Sequence, residues 1–112
     1  MYFDGATNQN GSGIGVLLIS PKGTHIPFSG RLKFPATNNA TEYEACIMGL
    51  RAALGLGVKE LEVYGDSALI ISQIYNKWKI KEERLMSYHE CLQKWASKFN
   101  KIQYQYVPRM QN

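Results

Sequence analysis

The order of the predicted strands and helices indicates an α/β protein, with one mixed sheet and helices packed on it. Two sequence patterns and their order support this fold class. Short segments rich in apolar and β-branched residues, bounded by turn residues, predict five strands. Longer segments with apolar residues at helical spacing predict three helices. The order β-β-β-α-β-α-α-β fits within 112 residues, so we expect residues 1–112 to form a single domain.

The first three predicted strands form an antiparallel meander. The first runs from Tyr2 to Asp4, and the second, "IGVLLIS", runs from Ile14 to Ser20. The segment "PKGT" supplies a turn, after which residues His25 to Phe34 return as the third strand. Pro35 then interrupts the pattern, because its ring fixes its own φ and favours an extended conformation in the preceding residue.

The second half of the chain alternates helices with strands, which favours parallel pairing there. The first helix is predicted from about Asn39 to Leu56, with Asn38 or Asn39 as its N-cap and Gly55 and Gly57 at its end. Its apolar stripe comprises Tyr43, Cys46, Ile47, Leu50, Ala53 and Leu54. The remaining elements are a strand over "ELEVYGD" (residues 60–66), a helix from about Ser67 to Trp78, a helix from about Glu83 to Phe99 and a strand over "KIQYQYV" (residues 101–107).

Composition and charge favour an ordinary intracellular globular protein. The chain is 45% hydrophobic and 20% charged, and no apolar run approaches the roughly 20 residues of a membrane span. The start "MYFDG" lacks a signal peptide pattern, so we expect a protein of the cytoplasm or nucleus that is not secreted. We also expect a monomer. Cys46 and Cys91 match no metal spacing and are expected to be reduced thiols filling core space. The net charge of +4 permits a polyanionic partner without requiring one.

Three carboxylates fall at positions where α/β proteins gather functional groups. Asp4 ends the first predicted strand, Asp66 ends the fourth, and Glu42 lies in the first turn of the first helix. If the two strands are adjacent, Asp4 and Asp66 can lie close enough to share a cation. Helical phase places Glu42 at the edge of the buried stripe and Glu44 on the outer side, so we expect Glu44 to face water.

Each carboxylate also has a purely structural interpretation. The positive end of the helix dipole favours an acidic residue near position 42, and Asp66 can cap a helix that begins at Ser67. Clustered carboxylates, however, are costly unless a cation offsets their charge. Oxygen ligands without neighbouring Cys or His favour Mg²⁺ or Mn²⁺, and paired metals of this kind hydrolyse phosphodiesters. The pattern therefore raises the hypothesis of a nuclease.

The motifs that carry these carboxylates resemble the ribonuclease H family. The segments are "FDGATN…GSGIGVLL", "FPATNNATEYEACIMGLRAAL" and "LEVYGDSALIISQI", and the likeness extends to the closing "YQYVPRMQN". They are similar in particular to the reverse-transcriptase-associated ribonuclease H domains of plant Ty3/gypsy-type retrotransposons. The resemblance implies a five-stranded mixed sheet with flanking helices, and Mg²⁺-dependent cleavage of the RNA strand of RNA–DNA hybrids. It also implies a reverse transcriptase domain beside this one in a parent polyprotein.

By motif position, Asp4, Glu42 and Asp66 look like three of the family's metal-binding carboxylates. The resemblance further implies that the "TNN" segment, formed by Thr37, Asn38 and Asn39, and the loop residue Asn8 contact the backbone of the hybrid. Amide groups suit this role because they can hydrogen-bond the 2′-hydroxyl that distinguishes RNA from DNA. Turn and cap chemistry is the alternative explanation of these polar residues.

One part of the family pattern lies outside this sequence. The family's fourth carboxylate follows the last strand in a pattern like Asn-x-x-Ala-Asp, which would begin at Asn112. We therefore expect a domain truncated at its C-terminus, without the family's final helix. This departure leaves two alternatives to an active enzyme, which are a catalytically inactive nucleic-acid-binding module and a purely structural connection domain of a polymerase.

Overall fold

A five-stranded sheet organises the chain in the computed structural model, which describes residues 1–8, 11–32, 37–66, 69–70 and 83–108. The strands lie in the order β3-β2-β1-β4-β5. Their pairing is antiparallel from β3 to β1 and parallel from β1 to β5, which confirms the predicted mixed sheet. The elements are β1 (Tyr2–Asn8), β2 (Gly11–Ile19), β3 (His25–Leu32), α1 (Asn38–Gly55), β4 (Glu60–Gly65), α2 (Glu83–Ala96) and β5 (Lys101–Tyr106).

Strand β1 is longer than its sequence suggests, and this changes the position of Asp4. The prediction ended the strand at Asp4, but pairing with β2 continues to the match of Asn8 with Gly11. The polar residues after Asp4 resemble a loop in composition, yet their backbone groups are satisfied by the neighbouring strand. Asp4 therefore lies in the middle of β1, and Asn8 is the last strand residue rather than part of a loop.

The pairing of β1 with β4 is much shorter than its pairing with β2. Tyr2 and Tyr64 are the matched residues of this parallel pair. Beyond them the pairing of β1 with β2 continues to Asn8, whereas the described residues include no further matched pair with β4. Helix α1 contacts β1 in this region, at Gly5.

Helix α1 begins one residue earlier than predicted, and its N-cap is Thr37 rather than Asn38 or Asn39. The Thr37 side chain accepts a hydrogen bond from the Ala40 amide at 3.1 Å, which satisfies one of the unpaired amides of the first turn. Counting from this cap, Glu42 lies in the second turn rather than the first. The helix ends at Gly55, and Gly57 takes a positive φ of 81° just beyond it.

The remaining boundaries differ from the predictions by a few residues. Helix α2 ends at Ala96 instead of Phe99, because the chain turns there and Phe99 donates its amide to the Ala96 carbonyl at 3.2 Å. The helix predicted from Ser67 to Trp78 lies mostly outside the described residues. Within it the structure describes Leu69 and Ile70, which are helical and buried.

Among the described residues, the core lies between one face of the sheet and helices α1 and α2. Strand residues at alternating positions, such as Phe3, Val16 and Val63, pack against buried residues of α1 and α2, such as Leu50 and Leu92. Cys46 and Cys91 are free thiols, as expected. Within the described ranges, no helix is both long and apolar enough to span a bilayer.

Candidate functional site

Asp4 and Asp66 lie on the same side of the sheet. Asp4 follows the core residue Phe3, so the alternation of the strand turns it to the opposite face, where it is exposed. Asp66 comes directly after the last residue of β4. Both aspartates line one cavity of about 520 Å³, together with the rings of Tyr2 and Tyr64. The adjacency of β1 and β4 therefore brings the two aspartates to one cavity.

Glu42 reaches the same place from helix α1. Its side chain is half-buried, and its Oε1 accepts a hydrogen bond from the Gly5 amide at 3.3 Å. This amide lies on the stretch of β1 where pairing with β4 has ended, so the carboxylate satisfies a strand donor. The contact holds Glu42 beside Asp4.

The three carboxyl groups influence one another electrostatically. Burial, together with the neighbouring charges of Asp4 and Asp66, raises the pKa of Glu42 to about 7. The hydrogen bond from Gly5 acts in the opposite direction by stabilising the charged form. Glu42 is therefore a carboxyl group that holds a proton near neutral pH, at the meeting point of β1, β4 and α1.

The donor set suits a hard divalent cation, but its present arrangement is not a closed metal site. Among the described residues, no group of three His, Cys, Asp or Glu side chains is disposed to hold one ion. Asp4 and Glu42 instead interact by a hydrogen bond that favours the protonated form of Glu42. A proton shared in this way relieves the same repulsion that a cation would relieve. The carboxyl oxygens of Asp4, Glu42 and Asp66 are of the kind that Mg²⁺ or Mn²⁺ prefers, and Glu42 would have to lose its proton before it could act as a ligand.

A thiol lies one helical turn beyond Glu42. Cys46 is fully buried, and burial followed by the nearby charge of Glu42 raises the pKa of this thiol. A protonated thiol is a poor metal ligand. The local chemistry therefore remains that of oxygen ligands.

The predicted substrate-contact residues lie at the start of α1 and at the end of β1. Thr37, Asn38 and Asn39 are exposed, and Thr37 also caps the helix. The structural explanation thus applies to Thr37, whose side chain remains at the surface. Asn8 ends β1, and its side chain is outside the described part of the chain.

Two features of the site were not predicted from the sequence. Tyr2 and Tyr64 stack on the wall of the cavity, with ring centroids 5.0 Å apart. Side chains two residues apart in a strand lie on the same face, so the spacing of these tyrosines from Asp4 and Asp66 could have indicated their position. The Tyr64 hydroxyl also donates a hydrogen bond to Glu62. Gly5 is the second feature, because its lack of a side chain admits helix α1 to the sheet.

The sheet order and the placement of these carboxylates define a protein of the ribonuclease H-like class. The chain belongs to the family described as reverse transcriptase-like, whose profile matches residues 2–112. The chain is similar to ribonuclease HI of Halobacterium salinarum, with 32% identity over 113 residues that cover 99% of this chain and 57% of that protein. It is also similar to the bifunctional protein Rv2228c of Mycobacterium tuberculosis, with 42% identity over 77 residues that cover 69% of this chain and 21% of that protein.

The chain therefore spans between about a fifth and somewhat more than half of these curated relatives. Among solved structures, ribonuclease H1 of Halobacterium salinarum superposes with a TM-score of 0.87 at 31% identity, covering 96% of this chain and 83% of that one. The ribonuclease H1 named LC11, solved in complex with an RNA/DNA hybrid, superposes with a TM-score of 0.82 at 30% identity, covering 96% and 83%. These similarities confirm the predicted fold class and the ribonuclease H family.

Proposed function

We propose that this chain is a metal-dependent endonuclease that hydrolyses the RNA strand of RNA–DNA hybrids. The observation that carries the proposal is the gathering of three carboxylates where β1, β4 and α1 meet: Asp4 and Asp66 line one cavity, and Glu42 accepts a hydrogen bond from the Gly5 amide beside Asp4. The similarity to a ribonuclease H1 solved with an RNA/DNA hybrid supports the choice of substrate.

The three carboxylates would hold Mg²⁺ or Mn²⁺. When bound, such ions activate the attacking water and stabilise the leaving oxygen of a phosphodiester. The chain's own contribution begins with Glu42, which must release its proton before it can act as a ligand. The Gly5 amide holds the resulting carboxylate in place. Asp4 lies in β1 and Asp66 directly follows β4, and both strands are central in the sheet. These two ligands would therefore come from rigid elements.

The exposed residues at the start of α1 are proposed to bind the hybrid. Thr37, Asn38 and Asn39 present a hydroxyl and two amides within two helical turns of Glu42. Such groups contact sugars and phosphates rather than base edges, so we expect little sequence preference. Asn8, at the end of β1, is proposed to act with them.

A retrotransposon polyprotein is the proposed context, with a reverse transcriptase domain as the neighbour of this one. The resemblance of the "FDGATN", "TNNATEY" and "GDS" motifs to plant Ty3/gypsy elements supports this context, as does the description of the matched family. The relatives named above come from an archaeon and a mycobacterium. Sequencing the surrounding genomic locus tests the proposal, which predicts an adjoining reverse transcriptase reading frame.

Cleavage of a labelled RNA–DNA hybrid in Mg²⁺ tests the activity. We expect cuts in the RNA strand alone, loss of cleavage in EDTA, and a loss of at least about a hundredfold in Asp4→Asn and in Asp66→Asn. Glu60→Gln is the matched control, because Glu60 is an exposed carboxylate at the opposite end of the strand that delivers Asp66. Equal cleavage by the wild type and both aspartate variants would show that the assignment is wrong.

The second candidate function is an inactive module that binds hybrids without cutting them. It is favoured by the arrangement of the described carboxylates, which do not surround a single ion. This candidate predicts hybrid binding that is unchanged by Mg²⁺, EDTA or Asp4→Asn, with intact RNA at every time point.

A further inference from the structure

Gly5 and Thr41 mark a close approach between strand β1 and helix α1. A Cβ atom added at Gly5 would lie 2.6 Å from Thr41 Cγ2 and 2.9 Å from both the backbone carbon and the carbonyl oxygen of Thr41. Ordinary van der Waals contact begins at 3.4 Å, so only glycine fits at this position unless α1 moves outward. At Gly49 and Gly65, in contrast, the three nearest atoms are all side-chain atoms.

Thr41 is held in place by the cap of its own helix. Its side chain is fully buried, and its hydroxyl donates to the Thr37 carbonyl oxygen at 2.8 Å. The same carbonyl accepts the Thr41 amide at 2.9 Å. Because a β-branched side chain has few rotamers in a helix, this hydrogen bond fixes the hydroxyl and leaves the γ-methyl against Gly5. The cap at Thr37 therefore determines which part of Thr41 meets the strand.

Each partner of this contact is the chain neighbour of a candidate carboxylate. Asp4 precedes Gly5, and Glu42 follows Thr41. The Gly5 amide also donates directly to Glu42 Oε1 at 3.3 Å. Any displacement of α1 from β1 at this point therefore separates Glu42 from Asp4, with no flexible segment between the contact and the two carboxylates.

We propose that the contact between Gly5 and Thr41 is a positioning device, which sets the distance between α1 and β1 and thereby the place of Glu42 beside Asp4. The inference rests on the proposed function, because it treats the two carboxylates as ligands of one divalent cation. Gly5 and Thr41 themselves touch neither cation nor substrate. They act through Glu42, whose carboxylate they hold beside Asp4, where β1, β4 and α1 meet.

Titration calorimetry with Mn²⁺, in the absence of nucleic acid, tests the device in the full chain. We expect Gly5→Ala to weaken Mn²⁺ binding by about tenfold or more, and to lower kcat for hybrid cleavage while KM changes little. Gly49→Ala is the matched control, because it places the same methyl group between the same helix and the sheet. There it meets the side chains of Met1 and Val16 rather than backbone atoms, and Mn²⁺ affinity should stay within about twofold of the wild type.

Two further variants separate positioning from loss of folding. Thr41→Ala removes the γ-methyl that packs on Gly5 and is tolerated by a helix interior, so it should weaken Mn²⁺ binding several-fold in a chain that still unfolds cooperatively. The double variant Gly5→Ala with Thr41→Ser should not recover wild-type affinity, because the Thr41 backbone atoms still block the added methyl group. Wild-type Mn²⁺ affinity in Gly5→Ala and Thr41→Ala would overturn the proposal.

Hydrogen exchange of the Gly5 amide provides a measurement that needs no metal. This amide donates to Glu42, so we expect it to exchange at least about tenfold faster in Thr41→Ala than in the wild type, and at an unchanged rate in Gly49→Ala. Unchanged exchange in Thr41→Ala would overturn the positioning role. A wild type that binds no Mn²⁺ and cuts no hybrid, yet shows the expected change in exchange, would contradict the proposed function while leaving the structural link between Thr41 and Glu42 in place.

Discussion

Helix α1 carries a glutamate on each of two sides, and the surroundings of the two carboxyl groups differ. Glu42 turns towards β1, where burial and two neighbouring aspartates raise its pKa to about 7. Glu44, two positions later, turns towards α2 and accepts a hydrogen bond from the Tyr88 hydroxyl at 2.7 Å. One carboxyl group lies among like charges, and the other has a neutral donor. The difference shows that helical phase, rather than residue type, decides which glutamate can take part in chemistry.

The surroundings of Glu44 show what a purely structural surface looks like in this chain. The ring of Tyr88 stacks on Tyr43 with centroids 5.7 Å apart, and Arg51 lies 5.3 Å from the ring centre of Trp95. These contacts join α1 to α2 through stacking, cation–π attraction and a satisfied hydrogen bond. On the side of α1 that carries Glu42, burial and the neighbouring charges of Asp4 and Asp66 raise the pKa of this carboxyl group, and the hydrogen bond from the Gly5 amide opposes them. Repulsion of this kind is retained where a site has a use for it.

The largest expected effect comes from exchanging each glutamate for its neutral analogue. Glu42→Gln should lower kcat for hybrid cleavage by at least about a hundredfold, because an amide cannot replace an anionic ligand. Glu44→Gln should leave kcat within about twofold of the wild type, because Tyr88 retains an oxygen acceptor. Steady-state cleavage of a labelled hybrid measures both values. Comparable losses in the two variants would remove the distinction between the two sides of α1.

The next effect is a dependence of stability on pH that originates at Glu42. A carboxyl group whose pKa is higher in the folded chain than in the unfolded one favours folding while it is protonated. Its contribution is complete below about pH 4.5, the ordinary value, and is lost as the pH rises through about 7. We expect this group to lower the free energy of unfolding by roughly 1–2 kcal/mol across that interval, a figure discounted for solvent screening of a half-exposed side chain.

Urea unfolding of the wild type and of the two glutamine variants between pH 5 and pH 8 measures this effect. Glu42→Gln resembles the protonated carboxyl, so it should be more stable than the wild type at pH 8 and show a weaker decline with pH. Glu44→Gln should decline as the wild type does. A wild-type decline that persists unchanged in Glu42→Gln would assign it to other groups and contradict the raised pKa.

Some parts of this comparison could be predicted from the sequence, and others depended on long-range geometry. The apolar periodicity of α1 correctly predicted that Glu42 faces the sheet, since the buried stripe is a local property of the chain. The same periodicity predicted that Glu44 faces water, whereas Glu44 accepts a hydrogen bond from Tyr88 of α2. This contact depends on tertiary packing, which the periodicity does not report. Asp4 was expected at a strand end, since Gly and Asn usually mark turns, whereas pairing with β2 carries the strand on to Asn8.

The close approach of Thr41 to Gly5 is a second feature that depends on tertiary packing. The residue pair Asp4-Gly5 is visible in the sequence, but nothing local shows that Thr41 will lie within 3 Å of a Cβ atom at this glycine. That distance follows from the docking of α1 onto the sheet. The residue types of the candidate site were therefore accessible from sequence, while the features that place them required the fold.

The smallest expected effect compares two tyrosines that differ in whether the hydroxyl has a partner. Tyr88 donates to Glu44, and burial followed by this hydrogen bond raises its pKa to about 12. The Tyr104 hydroxyl is buried and finds no hydrogen-bond partner among the described residues. We expect Tyr88→Phe to lower the free energy of unfolding by about 1 kcal/mol, and Tyr104→Phe to leave it unchanged or raise it slightly, because removing a buried hydroxyl without a partner loses no bond. Urea unfolding at pH 5 measures both, since Glu42 is largely protonated there. A larger cost for Tyr104→Phe than for Tyr88→Phe would contradict the difference in hydrogen bonding between the two hydroxyl groups.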